Sequence, residues 1–87
     1  MYFEFDYELT PDLAEPENRA GNARITDDGL ELTHARGTSR IAWQMIERVE
    51  PGPDVWRFYV NSQPIALPSW ALIGDPGNFI LKKVRKL

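Results

Sequence analysis

The chain has 87 residues, of which 43% are hydrophobic and 11% aromatic, and its formal net charge is −3. This composition excludes a disordered chain, and the length predicts one domain, residues 1–87. The sequence has no cysteine, which excludes disulfide bonds, thiol catalysis and cysteine-bound zinc. We expect a cytoplasmic protein, because no apolar run approaches the roughly 18 residues of a membrane span and the first residues are acidic rather than basic.

Residues 1–10 carry the pattern of a half-buried first strand, with one apolar face and one acidic face. The apolar positions are Phe3, Phe5, Tyr7 and Leu9. The acidic positions are Glu4, Asp6 and Glu8. Such a row of carboxylates can bind a cation, but at alternate strand positions we interpret it as a solvated face that discourages edge-to-edge aggregation. Residues 11–22, with two prolines and one large apolar side chain, predict a loop.

An antiparallel sheet is predicted over residues 23–68, where short apolar runs alternate with turn signals. Asp28-Gly29 favours a tight hairpin, because glycine supplies a positive φ. Further reversals are predicted at Ala35–Thr38, which contains Gly37, at Pro51–Asp54 and at Asn61-Ser62.

One stretch of this sheet has a different period. Trp43, Ile46 and Val49 are spaced by three residues, which a straight strand does not place on one face. We therefore predict a single helical turn or bulge at residues 43–45, followed by a strand over residues 46–50.

A C-terminal helix is predicted over residues 75–87, with Asp75 as its N-cap and Pro76 in its first turn. The helix carries one apolar stripe and is too short to be stable alone in water, so it must pack on the sheet. The predicted fold class is mainly β (α+β): a bent antiparallel sheet or partly open barrel of about six strands, capped by this helix.

The chain resembles the bacterial YcxB-like domains, which have a pleckstrin-homology-like fold. The resemblance lies in ITDDGLEL, in Trp43 with Ile46 and Val49, in the strand Val55–Val60 and in IALPSWAL with the terminal helix. The opening FEFDYELTPDL is similar to the first strand of that family. Members typically carry two membrane-spanning helices after this strand, where the present chain has the loop Thr10–Asn22. The resemblance implies a soluble relative, or one without the membrane hairpin, and it implies no catalytic residues.

No residue pattern indicates an enzyme, and we expect no catalytic, metal-binding or cofactor-binding residues. The only histidine, His34, shares a strand face with Leu30 and Leu32, which is typical of a partly buried structural residue. The pair Asp27-Asp28 lacks the regularly spaced oxygen ligands of a calcium loop.

Binding is the expected function, and Trp70 is the first candidate residue. It follows Pro68-Ser69, in a loop before the helix. We favour closure of the core, with Trp70 packed under the helix. The alternative is a contact residue at the rim of the domain, where aromatic side chains dominate binding energy.

The second group of candidates lies at the basic end of the helix and comprises Lys82, Lys83, Arg85 and Lys86. These charges complement the helix dipole, or they attach the protein to an anionic membrane surface at the cytoplasmic face.

We predict a non-catalytic interaction module that binds a protein partner, or a second copy of itself, through a sheet edge or a groove flanking the helix. Attachment to an anionic membrane surface is the alternative. The acidic first third of the chain, residues 1–31, disfavours nucleic acid as a partner.

Overall fold

A computed structural model describes residues 2–13, 19–34 and 37–84. These ranges contain seven strands and one α-helix, together with two short 3₁₀ turns, Trp43–Met45 and Ser69–Ala71. The elements are β1 (Phe3–Glu8), β2 (Ala20–Ile25), β3 (Gly29–His34), β4 (Gly37–Ala42), β5 (Arg48–Glu50), β6 (Val55–Val60), β7 (Gln63–Pro68) and α1 (Asp75–Val84).

The strands form two antiparallel sheets that do not close into a barrel within the described ranges. The first sheet has the order β1-β2-β3-β4 and the second has the order β5-β6-β7. The predicted fold class, mainly β with one C-terminal helix, is confirmed. The predicted single bent sheet is resolved into two sheets, and the 3₁₀ turn at Trp43–Met45 lies where the chain passes from one to the other.

The predicted loop over residues 11–22 ends earlier than expected, because β2 begins at Ala20. Gly21 and Asn22 are poor strand formers, yet they pair with Tyr7 and Asp6 of β1. The Asn22 side-chain amide donates a hydrogen bond to the Asp6 carboxylate at 2.9 Å. Pairing with β1 therefore overrides the local preference, and it adds a segment to the sheet that residue propensity misses.

The predicted turns have the expected chemistry. Asn61 and Ser62 both have positive φ, 52° and 66°, as a two-residue type I′ hairpin requires. At the β2–β3 hairpin, a Cβ on Gly29 would lie 2.0 Å from the carbonyl oxygen of Ile41, so only glycine allows this approach of β4. The predicted helical turn at Trp43–Met45 is present, although the strand after it begins at Arg48 rather than Ile46.

The inner face of the four-stranded sheet is built from rows of paired residues that cross all four strands. The row nearest the helix, which we call the helix-end row, consists of Phe3, Ile25, Leu30 and Ile41. The row at the opposite end, the open-end row, consists of Tyr7, Gly21, His34 and Gly37. The strands are the same at both ends, so the side chains alone distinguish them.

The helix closes the first of these ends. Phe79 of α1 meets Phe3 edge to face, with ring centroids 5.9 Å apart, and it meets Trp43 at 6.1 Å. Trp43 is buried, and its indole N–H donates to the carbonyl oxygen of Thr26 at 3.0 Å, so its one polar atom is satisfied. Ile80 of the same helix is fully buried in the core.

Trp56 supports the start of the helix from the three-stranded sheet. A Cβ on Gly77 would lie 2.8 Å from the Trp56 indole ring, so glycine lets the first turn of α1 settle directly on that ring. Trp56 is half-buried, whereas Phe58, two residues later on the same face, is fully buried.

Candidate functional site

A groove of about 800 Å³ lies between the two sheets, toward the end opposite the helix. Residues of β1, β3 and β4 line it on one side, and residues of β6 and β7 line it on the other. Its apolar lining includes Tyr7, Leu32, Ile41, Val60 and Ile65. No residue of α1 lines it, and binding through a groove flanking the helix stays a prediction.

The rim of the groove carries basic and neutral polar side chains. Arg19, His34 and Arg57 line it together with a single acid, Asp12. The Thr10 hydroxyl donates to the Asp12 carboxylate and holds the pKa of that group below its usual range.

Gly21 of the open-end row lets β3 and His34 approach β2 closely. A Cβ on Gly21 would lie 2.4 Å from the backbone oxygen of Thr33 and 2.9 Å from Nδ1 of His34. The imidazole of His34 therefore lies across β2, where Nδ1 is 3.3 Å from the carbonyl oxygen of Ala20 and the ring meets Tyr7 edge to face. Burial raises the pKa of the Tyr7 phenol, since it disfavours the phenolate.

The strand β4 is an open edge of the four-stranded sheet, and residues 37–40 are all exposed. The amide of Trp43 continues the β3–β4 ladder by donating to the carbonyl oxygen of Asp28 at 3.4 Å. Because amides alternate in direction along a strand, the odd-numbered residues of β4 face β3. The N–H and C=O groups of Thr38, Arg40 and Ala42 consequently point outward.

The strand β7 is an edge of the other sheet, and the same reasoning shows that it is poorly suited to backbone pairing. The amide of Ser69 donates to the carbonyl oxygen of Asp54 at 3.0 Å, which places the odd-numbered residues toward β6. The outward positions are then Pro64, Ala66 and Pro68. Since proline has no N–H, this edge offers one outward amide donor, on Ala66, and cannot extend a ladder well.

The remaining two edges are also poor templates. The outward positions of β1 carry the acids Glu4, Asp6 and Glu8, which repel a similar strand. The strand β5 has three residues, Arg48–Glu50, and lies beside α1. Of the four sheet edges in the described chain, β4 is therefore the one suited to backbone pairing.

A row of alternating charge crosses the outer face of the four-stranded sheet and ends at this edge. Glu4 pairs with Arg24 at 3.7 Å, and Arg24 pairs with Glu31 at 3.5 Å. The row ends on β4, where Nε of Arg40 donates to Glu31 at 2.9 Å. The four residues occupy consecutive register positions on the four strands.

Trp70, the first predicted candidate, is 61% exposed, so the favoured interpretation, burial under the helix, is wrong. It lies in the 3₁₀ turn after β7, and its ring meets Phe5 edge to face with centroids 6.2 Å apart. Trp70 is therefore placed on the β1 side of the domain, away from β4. Its role as a contact residue stays a prediction.

The basic end of the helix is less uniform than the sequence suggests. Lys82 is exposed, whereas Lys83 is half-buried, lies 3.8 Å from the Asp27 carboxylate and stacks over Phe79 at 5.4 Å. Arg85 and Lys86 lie outside the described residues. Lys83 thus helps to attach the helix to the β2–β3 hairpin, and membrane attachment through this group stays a prediction.

Sequence reasoning missed the β4 edge and the groove. The run Gly37–Arg40 is polar and is typical of the end of a hairpin. Its residue pattern does not indicate that β4 is the last strand of its sheet. The prolines at positions 64 and 68 were the available signal, because they predict that the other candidate edge is blocked.

Other kinds of site find no support in the described ranges. They contain no cluster of three or more side chains able to hold a metal ion. Of the acids of β1, Glu4 is engaged by Tyr2 and Arg24, and Asp6 is engaged by Asn22. No helix of these ranges is long and apolar enough to span a membrane.

Comparison with known proteins adds no relative. No family model, no curated protein and no solved structure matches the chain. The resemblance to YcxB-like domains therefore stays a prediction of the sequence.

Proposed function

We propose that the protein is a non-catalytic interaction module that binds an extended segment of a partner protein as a fifth strand along β4. One observation carries this proposal: within residues 2–13, 19–34 and 37–84, the outward backbone groups of Thr38, Arg40 and Ala42 form the single sheet edge without prolines, acids or a covering helix. Addition of a strand to such an edge is a common mode of peptide recognition.

Backbone pairing alone is not sufficient for stable binding. A hydrogen bond contributes a net of about 0.5–1.5 kcal/mol, while association costs at least about 4 kcal/mol in lost freedom of motion. Side chains of the bound segment must therefore add contacts. The groove supplies them, because it reaches β4 at Ser39 and Ile41. Side chains on the inner face of a fifth strand would lie at this end of the groove.

The resemblance to domains of pleckstrin-homology-like fold supports the same class of function by analogy of fold only. The physical support comes from the edge and the groove.

The test uses a displayed library of random nine-residue peptides, selected on the wild-type protein. Selected peptides are then measured by fluorescence anisotropy against wild type, Thr38→Pro and Glu8→Pro. Proline at position 38 removes an outward N–H without breaking the β3–β4 ladder, so we expect binding to fall at least about ten-fold. Glu8→Pro makes the equivalent change on the outward side of β1, at a residue that does not line the groove, and should bind like wild type.

Equal binding to wild type and Thr38→Pro, or failure to select any peptide, would contradict the proposal. Sedimentation of the wild-type protein alone is the companion measurement. A dimer that Thr38→Pro dissociates would replace the partner protein by a second copy of this chain.

A further inference from the structure

The alternating row Glu4–Arg24–Glu31–Arg40 gives chemical information about the bound segment. Each member lies between residues of opposite charge on the neighbouring strands, except at the two ends of the row. At the β4 end the alternation stops on a positive charge, directly beside the outward backbone groups of β4.

Arg40 has unused capacity for a further ion pair. Its Nε donates to Glu31, and its side chain is 82% exposed. Its two Nη groups have no ion pair or hydrogen bond within residues 2–13, 19–34 and 37–84. A guanidinium presents five N–H donors in a planar fork and can bind two carboxylates at once.

We infer that the partner segment carries a carboxylate, Asp or Glu, at the position that pairs with Arg40. This inference rests on the proposed addition of a strand to β4 and specifies its ligand. A residue opposite Arg40 on a fifth strand would have its Cβ about 4.5–5.5 Å from that of Arg40 and on the same face. A carboxylate there extends the alternation by one member, whereas a lysine would repel Arg40.

The residues on either side of this carboxylate have a different environment. Side chains alternate between faces along a strand, so they point to the inner face, beside Ser39 and Ile41. Ile41 is buried and borders the apolar floor of the groove with Leu32. The segment therefore combines an acidic residue opposite Arg40 with an apolar residue at the neighbouring position beside Ile41, in extended conformation.

The expected selectivity is modest and measurable. An exposed cross-strand ion pair contributes about 0.2–1 kcal/mol, which corresponds to a preference of about 1.5- to 5-fold for Glu over Gln. Charge reversal gives a larger contrast, because it exchanges attraction for repulsion.

The experiment is a charge swap on the peptides selected above. A selected peptide is synthesised with Glu, Gln or Lys at the acidic position common to the selected set, and each version is titrated against wild type and Arg40→Glu. We expect wild type to prefer Glu over Lys by about 2- to 30-fold, because attraction is exchanged for a repulsion of similar size. Arg40→Glu should prefer Lys.

Two further variants complete this test, one as a substitute for Arg40→Glu and one as a control. Arg40→Gln removes the charge without placing two glutamates side by side, and it should abolish the preference between the Glu and Lys peptides if Arg40→Glu does not fold. Arg48→Glu is the matched control, because Arg48 is also an exposed strand arginine paired with a glutamate, Glu50, at 3.2 Å. It lies on the other sheet and should leave the preference unchanged.

The outcomes separate this inference from the proposed function. Suppose that the peptides lose binding to Thr38→Pro but share no acidic residue, or that they keep their preference for Glu on Arg40→Gln. Either result would overturn the inferred carboxylate opposite Arg40 and leave the proposed addition of a strand to β4 intact. Peptides insensitive to Thr38→Pro would overturn both.

Discussion

The two ends of the four-stranded sheet differ in what their side chains do, although the same strands run through both. At the helix-end row, Phe3 meets Phe79 of α1 edge to face, and Phe79 in turn meets Trp43. At the open-end row, Tyr7 and His34 line the groove, and Gly21 and Gly37 contribute no side chain.

The comparison shows how one register yields both stability and a binding surface. Pairing of β1 with β2 and of β3 with β4 extends through both rows, whereas the pairing of β2 with β3 ends at Asn22–Thr33, one position before the open-end row. The helix end adds the buried side chains of Trp43 and Ile80 to its row, so we expect it to contribute the larger share of the free energy of unfolding. The open end combines buried Tyr7 with polar groove-lining residues.

The largest expected effect comes from removing the aromatic centre of the closed end. Trp43→Ala deletes a buried indole, its contact with Phe79 and its hydrogen bond to Thr26. We expect a loss of about 3–5 kcal/mol in the free energy of unfolding, measured by urea denaturation. Gln44→Ala, an exposed change in the same 3₁₀ turn, is the control and should change it by less than about 0.5 kcal/mol. A loss below about 1 kcal/mol for Trp43→Ala would show that the helix end is not the stabilising region.

A smaller effect is expected at the open end. Gly21→Ala would place a Cβ 2.4 Å from the backbone oxygen of Thr33, so β2 or β3 must shift. We expect a loss of about 1–3 kcal/mol. Gly37→Ala is the comparison, because no atom lies within 4 Å of its added Cβ and the change acts through its φ of 134° alone. If Gly21→Ala were no more destabilising than Gly37→Ala in the same denaturation assay, the close approach of His34 over β2 would be refuted.

The sequence predicts the fold well where the signals are local. The alternation in β1, the Asn61-Ser62 turn and the helical turn at Trp43–Met45 each depend on neighbouring residues, and all three are confirmed. The start of β2 at Ala20 depends instead on pairing with a strand earlier in the chain, and propensity gives no sign of it. The division into two sheets is likewise a property of strand order.

The candidate site is predictable only in part, for the same reason. The sequence predicted binding through a sheet edge, and β4 is compatible with that prediction. Which edge is open, however, follows from the order of the strands and the direction of their amides. The row ending on Arg40 unites residues from four strands, and no spacing in the sequence brings them together. Trp70 was misjudged because a tryptophan beside a helix suggests burial, whereas the 3₁₀ turn directs this one outward.

The smallest expected effect on the free energy of unfolding comes from Trp70, which packs between the two ends of the sheet. Trp70 packs against Phe5, which lies between the two rows on β1, and this edge-to-face contact is its one aromatic pairing in the described chain. Exposed aromatic pairs contribute about 0.5–1.5 kcal/mol, so Trp70→Ala should lower the free energy of unfolding by about this amount.

Peptide binding to Trp70→Ala tests whether the bound segment lies along β4. Trp70 and β4 lie at opposite sides of the four-stranded sheet, since Trp70 contacts β1 and β4 is the far edge. Peptides that require the outward amide of Thr38 should therefore bind Trp70→Ala like wild type in the anisotropy assay. A ten-fold loss with an intact fold would mean that the bound segment contacts the β1 side, and the fifth strand would then have to be placed elsewhere than on β4.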